Sequence, residues 1–277
     1  MKNILLAINA EKLIISDIDF GCYLAKMSGS RLTGVFLENQ LFSETPTLKT
    51  VVGIPYVEAI VASDLPDYHE KLTVFDENVR IFNEICTRCG VQHSVHLDKA
   101  TPMHEIISES RFGDLLIINP AINFDDASDD DYSNFTTDVL ANSECPVLVA
   151  PVKFEGIDEI VFTYDGGAAE AFAIRQFANI FPELDEEKIS VVQVNKQDGS
   201  GDEHNLKQYL CMHYTNVSFH QLNGNPNQEL FKFLFQRKNA LVVIGAYSRS
   251  KISRNFFPSA ADRLIKSLSI PVFIAHY

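Results

Sequence analysis

Short runs of uninterrupted apolar residues alternate along this chain with segments whose apolar positions recur every three or four residues. Ile4-Leu-Leu-Ala-Ile8, Leu115-Leu-Ile-Ile118 and Val147-Leu-Val-Ala150 lack the in-and-out alternation of a half-solvated strand. They read as parallel strands buried on both faces. Ile14, Ile18, Cys22 and Ala25 share one helical face and predict an amphipathic helix ending near Gly29. Val74 to Cys89 and Pro102 to Ser110 carry the same period. Further on, Ala168 to Ile180, His204 to His213, Pro226 to Arg237 and Ser259 to Ser269 are predicted helices. Pro102 and Pro226 fit a first helical turn, where a missing amide donor costs nothing.

The pattern occurs twice. Asp114-Leu-Leu-Ile-Ile-Asn-Pro120 matches Ala240-Leu-Val-Val-Ile-Gly-Ala246 at an offset of 126, and Cys145-Pro-Val-Leu-Val-Ala150 matches Ile270-Pro-Val-Phe-Ile-Ala275 at 125. Leu97-Asp-Lys-Ala-Thr-Pro102 corresponds to Leu222-Asn-Gly-Asn-Pro226. Each half opens on an apolar strand, Asn3 to Asn9 and Glu159 to Asp165, and the larger offset there leaves an insertion at 39–66 in the first half. Matched blocks in the same order read as a duplication. The alternation β-α-β-α-β-α-β-α-β implies right-handed crossovers. The expected fold class is α/β: two tandem doubly wound sandwiches, each with a five-stranded parallel sheet, at residues 1–152 and 153–277. The two final strands are expected to meet about a pseudo-two-fold axis, because exposed apolar edges invite aggregation.

Composition adds what the chain is not. Of its 277 residues, 46% are hydrophobic and 22% charged, which excludes disorder and low complexity. No apolar run approaches the ~18 residues of a membrane span, and the start of the chain has no basic region ahead of its apolar run. Five cysteines make an odd, sparse set, better suited to a reducing compartment than to a disulfide scaffold. The expected location is the cytoplasm. Net charge is −14, which disfavours nucleic acid as a partner. The excess is lopsided. Residues 1–152 hold 10 basic and 23 acidic side chains, whereas 153–277 hold 13 and 14.

Ligands of open α/β sheets bind at the carboxyl ends of strands, near the topological switch point. In the second half the segment after Gly245 carries Ser248, Arg249, Lys251 and Arg254 with no acid, and Ser259 opens the predicted helix beyond it. A helix N-terminus with adjacent cations suits a phosphate. A purely structural loop is the competing reading, since Pro258 offers no amide. The first-half counterpart argues against any anion. From Asp114 to Glu155 it has no glycine, and it contains Asp125, Asp126, Asp129, Asp130 and Asp131.

With its endings and its repeat, the chain resembles the universal stress protein family in tandem form, over all but the insertion. The family's nucleotide pattern is Gly, two residues, Gly, nine residues, Gly, then Ser or Thr. Gly245 and Ser259 match it in register, while Ser248 and Pro258 replace the other glycines. Asp165, before Gly166-Gly167, is similar to the family's first-strand Asp beside adenine, and Val194 ends the second strand, another adenine contact. The resemblance implies a Rossmann-like, UspA-like fold with a degenerate ATP motif in the second half and none in the first, where Asn9 replaces the Asp. The implied site residues are Asp165, Val194, Gly245, Ser248, Arg249 and Ser259. The resemblance fixes no cofactor, and ATP or another adenine nucleotide in the second half is the candidate ligand.

Other chemical signals are weak. Cys86-Thr-Arg-Cys89 has C-x-x-C spacing but closes a helix, where the dipole does not lower a thiol pKa, and no second pair completes a zinc site. His93 and His96 fall on opposite faces of a strand. The Asp125–Asp131 run lacks the Gly and distal Glu of an EF-hand loop. No G-x-S-x-G or G-x-x-x-x-G-K is present. Three functions compete. The leading one is a non-catalytic stress-response module, an internal pseudo-dimer acting through protein partners and open to further homodimerisation. The others are an adenine-nucleotide sensor and an ATP-consuming enzyme. No catalytic residues and no metal site are expected.

Overall fold

The computed structural model describes residues 1–38, 46–51, 54–59, 68–97, 101–124, 134–195, 202–246 and 270–276. The first half supplies β1 (Asn3–Asn9), α1 (Ile15–Met27), β2 (Arg31–Leu37), β3 (Pro46–Val51), β4 (Ile54–Ala59), α2 (Tyr68–Cys89) and β5 (His93–Leu97). It continues with α3 (Pro102–Ser110), β6 (Leu115–Ile118), α4 (Asn134–Asn142) and β7 (Val147–Val149). The second supplies β8 (Glu159–Thr163), α5 (Ala168–Ile180), β9 (Lys188–Val194), α6 (Asp202–His213), β10 (Asn216–Leu222), α7 (Pro226–Phe235), β11 (Ala240–Ala246) and β12 (Val272–His276).

Ten strands form one sheet in the order β10-β9-β8-β11-β12-β7-β6-β1-β2-β5. Read outward from the middle, both halves have the same strand order. Every pairing is parallel except that between β7 and β12. There Val149, Leu148 and Val147 lie opposite Val272, Phe273 and Ile274 in antiparallel register. The expected five-stranded sheets are thus joined edge to edge. All six seam residues are at most 1% exposed, and full burial of each such side chain is worth ~1.5–3 kcal/mol. The insertion at 39–66 contains an element that the sequence reading did not assign, the antiparallel hairpin β3–β4.

Continuous apolar strands are two-faced in burial, as parallel strands covered by helices on both sides must be. Leu5, Ala7, Leu116 and Ile118 pack with Val139 and Ile106 on one face. Ile4, Leu6 and Ile117 pack with Ile18 and Leu24 of α1 on the other. That second cluster runs across the seam. Phe273 of β12 lies 5.2 Å, ring to ring, from Phe177 of α5, and Phe162 lies 5.7 Å from Phe177. The connection from β7 to β8 is anchored too. Phe154 stacks edge-on against Phe20 and Tyr23 of α1 at 4.8 and 4.7 Å. The turn after α1 uses Gly29 at φ 58°, a left-handed conformation that a side chain would strain.

Candidate functional site

Each half of the sheet has a switch point, where its first strand is flanked by its second on one side and its fourth on the other. In the first half this mouth is closed by its own side chains. Asn9, ending β1, accepts hydrogen bonds from the amides of Glu11 and Lys12, and its Nδ2 donates to the Asn123 carbonyl at 2.8 Å. Asp17, third residue of α1, is buried with both oxygens accepting from Asn119 Nδ2 at 2.9 and 2.8 Å. Burial lifts this carboxyl to about 6, against the pull of Asn119. Thr136 of α4 donates to the Asn119 and Pro120 carbonyls at 3.2 Å. Asn119 Oδ1 accepts the amide of Ala121 at 2.8 Å. The polar groups here are spent on one another. The acidic run Asp125–Asp131 lies outside the described residues.

In the second half the corresponding mouth is built differently. Asp165 follows β8, Val194 ends β9 and Gly245 lies near the end of β11, so three sequence-proposed residues come from three neighbouring strands. Asp165 Oδ1 accepts the Gly167 amide at 2.7 Å, a short turn that starts α5. Gly245 is there because β11 runs against the first turn of α5. A Cβ at this position would sit 2.4 Å from the Ala169 carbonyl carbon and the Glu170 amide nitrogen. Beside Val194, Asn195 adopts φ 53° and exchanges two hydrogen bonds with Gly224, at 2.7 and 2.9 Å. Ser248, Arg249 and Ser259 lie outside the described residues, as do Lys251, Arg254, Pro258 and the predicted helix from Ser259.

One residue of this mouth escaped the sequence reading. Glu170 is the third residue of α5, as Asp17 is of α1, and it is only 7% exposed. The matched blocks place Gly245 where the first half has Asn119. Among the described residues the amide that holds Asp17 therefore has no counterpart, and buried Glu170 Oε2 has no hydrogen-bond partner. Burial first, then the hydrogen bond and charge of Asp165, push the Glu170 carboxyl up to about 7. The signal was available as an acid at one helical position in both halves, with asparagine exchanged for glycine opposite it.

A second polar cluster lies toward the amino ends of β8, β9 and β10. It combines serine, histidine and glutamate, the ingredients of a nucleophile set. The hydrogen bonds show otherwise. Ser190 Oγ donates to Glu159 Oε1 at 2.5 Å, and Ser218 Oγ donates to the Ile189 carbonyl at 3.0 Å. Ser190 thus spends its proton on the Glu159 carboxylate, and His220 Nε2 lies 3.2 and 3.1 Å from the two serine oxygens. Burial and then the Arg237 charge lower the His220 pKa. Glu159 stays charged because Ser190, Lys188 and Arg237 together outweigh its burial. The cluster ties three strands to the end of α7.

Cys86 and Cys89 sit in the last turn of α2, as the spacing predicted, and Cys86 Sγ lies 3.8 Å from Cys22 Sγ of α1. All five cysteines are free thiols. Contact with Cys86 and burial raise the Cys22 pKa, and burial raises that of Cys89, the reverse of an activated pair. His93 packs on Phe82 of α2, while His96 faces Glu105 and Glu109 of α3 at 3.6 Å. Among the described residues no group of three side chains has metal-binding geometry, and no helix is long and apolar enough to cross a membrane.

Residues 182–276 match the model of the Universal stress protein family. No curated protein matches the chain. Among solved structures, a universal stress protein from Archaeoglobus fulgidus DSM 4304 has a TM-score of 0.71 at 16% identity, covering 99% of this chain and 98% of its own. A candidate universal stress protein from Pseudomonas aeruginosa UCBPP-PA14 has a TM-score of 0.57 at 14% identity, with coverage of 100% and 93%. Residues 182–276 therefore match the Universal stress protein family, and the whole chain has the fold of solved universal stress proteins.

Proposed function

We propose that the chain is a non-catalytic tandem universal stress protein of the cytoplasm, acting through protein partners. Its domains are residues 1–152, with the insertion at 39–66, and 153–277, and they form an internal pseudo-dimer. The observation that supports this is the buried β7–β12 seam, where the final strands of the two halves pair within one chain. The self-satisfied first-half mouth and the donation of Ser190 to Glu159 rather than to His220 support a non-catalytic role. Purified full-length protein incubated with magnesium and ATP should release no phosphate above the buffer rate. Turnover that scales with protein concentration and survives repeated purification would refute it.

A second reading is favoured by the contrast between the mouths. The first is closed by Asn119, and the second has Gly245 in its place. An adenine nucleotide would bind once per chain, in the second half, with the base near Asp165 and Val194. Its phosphates would lie near Gly245, Ser248, Arg249 and Ser259. Equilibrium titration of the full chain with ATP tests this.

A further inference from the structure

We propose that Glu170 makes nucleotide binding at the second-half mouth proton-linked: its carboxyl holds a proton when an anionic ligand is bound and releases it when the site empties. The inference rests on the nucleotide reading above and adds its regulation.

Three observations lead to it. Glu170 is buried at the amino-terminal turn of a helix of 13 residues, where the backbone favours an anion. Among the described residues its Oε2 has no hydrogen-bond partner, the contact with Asp165 leaving that oxygen unpaired. The first half shows what a satisfied version of the same position looks like, with Asn119 donating to both oxygens of Asp17. The second half has an acid at the same helical position but no amide side chain opposite it, because Gly245 has no side chain and no room for one.

The charges around Glu170 set the direction of the linkage. Asp165, after β8, is in contact with it and repels its ionised form. β11 contributes Gly245 and no titratable group. β12 contributes His276, opposite Ala246. On α5 itself the next charge is Arg175, which lies over the Phe172 ring. In the free protein the Glu170 carboxyl is held up to about 7, chiefly by burial and then by Asp165. An arriving polyphosphate adds negative charge beside this carboxyl and drives its pKa higher still. Binding therefore takes up a proton, and affinity falls as pH rises through neutrality. If the bound state stays protonated to pH 8, a free-state pKa of about 7 makes affinity about tenfold weaker at pH 8 than at pH 6.

The experiment is calorimetric titration of the full-length protein with ATP at pH 6 and pH 8, for wild type and Glu170→Gln. The amide imitates the neutral acid in size and hydrogen bonding but cannot ionise. ATP itself gains charge over this range, so the wild-type ratio of affinities is divided by that of the variant. The expected quotient is about tenfold. Repeating the wild-type titration at pH 7.5 in two buffers of different ionisation enthalpy should show net proton uptake. A quotient near one, or no uptake by wild type beyond that of the variant, overturns the proposal while nucleotide binding stands. Failure of both proteins to bind ATP at either pH overturns it together with the nucleotide reading.

Discussion

Replacing Asn119 by alanine should destabilise the protein in a pH-dependent way, because this one side chain holds a buried carboxyl. Asp17 is 6% exposed and accepts Asn119 Nδ2 on both oxygens, at 2.9 and 2.8 Å. Its pKa rises from 3.8 to about 6 on folding, for burial outweighs Asn119. The neutral form is thus the one that folding prefers. Asp17 favours folding most below its unfolded pKa, and that benefit is lost as pH rises through about 6. A rise of about two units corresponds to at most ~3 kcal/mol. Without Asn119 the charged carboxylate loses its only side-chain donor among the described residues. A hydrogen bond to a charged group is worth ~1.5–3 kcal/mol, against ~1 for a neutral pair. Asn119→Ala should therefore cost ~2–3 kcal/mol at pH 8, where wild-type Asp17 is ionised, and ~1 kcal/mol at pH 5, where it is mostly protonated. Urea unfolding at the two pH values measures both costs from midpoints at constant slope. Equal costs at pH 5 and pH 8 would refute the reasoning, since the lost contact would then be indifferent to the charge of Asp17.

Other expectations follow from packing. Gly245→Ala should cost ~3 kcal/mol or more in thermal or urea unfolding, since its Cβ would meet α5 backbone at 2.4 Å rather than a side chain able to move. Phe273→Ala opens the aromatic cluster next to the seam and should cost ~3–5 kcal/mol, with the unfolding transition remaining single if the halves are one cooperative unit. Timed alkylation read by mass spectrometry should label exposed Cys211 first and half-buried Cys89 more slowly, with Cys22, Cys86 and Cys145 labelled only on unfolding.

Much of the architecture is legible in the sequence because parallel strands covered on both faces must be continuously apolar. Leu115–Ile118 and Ala168–Ile180 fall where the pattern puts them. The short helix Asn134–Asn142 carries a less conspicuous stripe, and only Thr136, Val139 and Leu140 are buried in it. The hairpin β3–β4 hides in a stretch whose prolines and polar residues read as loop. At the candidate site, Gly245 stands out as a glycine at a strand end, whereas Asp165 and Val194 come from the family resemblance; the strand order brings all three to one mouth. Glu170 was not legible, since an acid in the first turn of a helix usually serves the helix dipole in solvent. Its burial is decided by the approach of β11, a contact remote in sequence. The serine–histidine–glutamate cluster was invisible for the same reason, as Glu159, Ser190 and His220 meet only through strand pairing.

The central claim is that the two mouths, alike in topology, differ in what they admit. Photolabelling of the full-length protein with an azido-adenine ATP analogue, followed by peptide mapping, tests it most directly. The expected result is one label per chain, displaced by ATP, in peptides around Asp165 and Val194. A displaceable label in peptides of residues 1–152, or two labels per chain, would contradict the account.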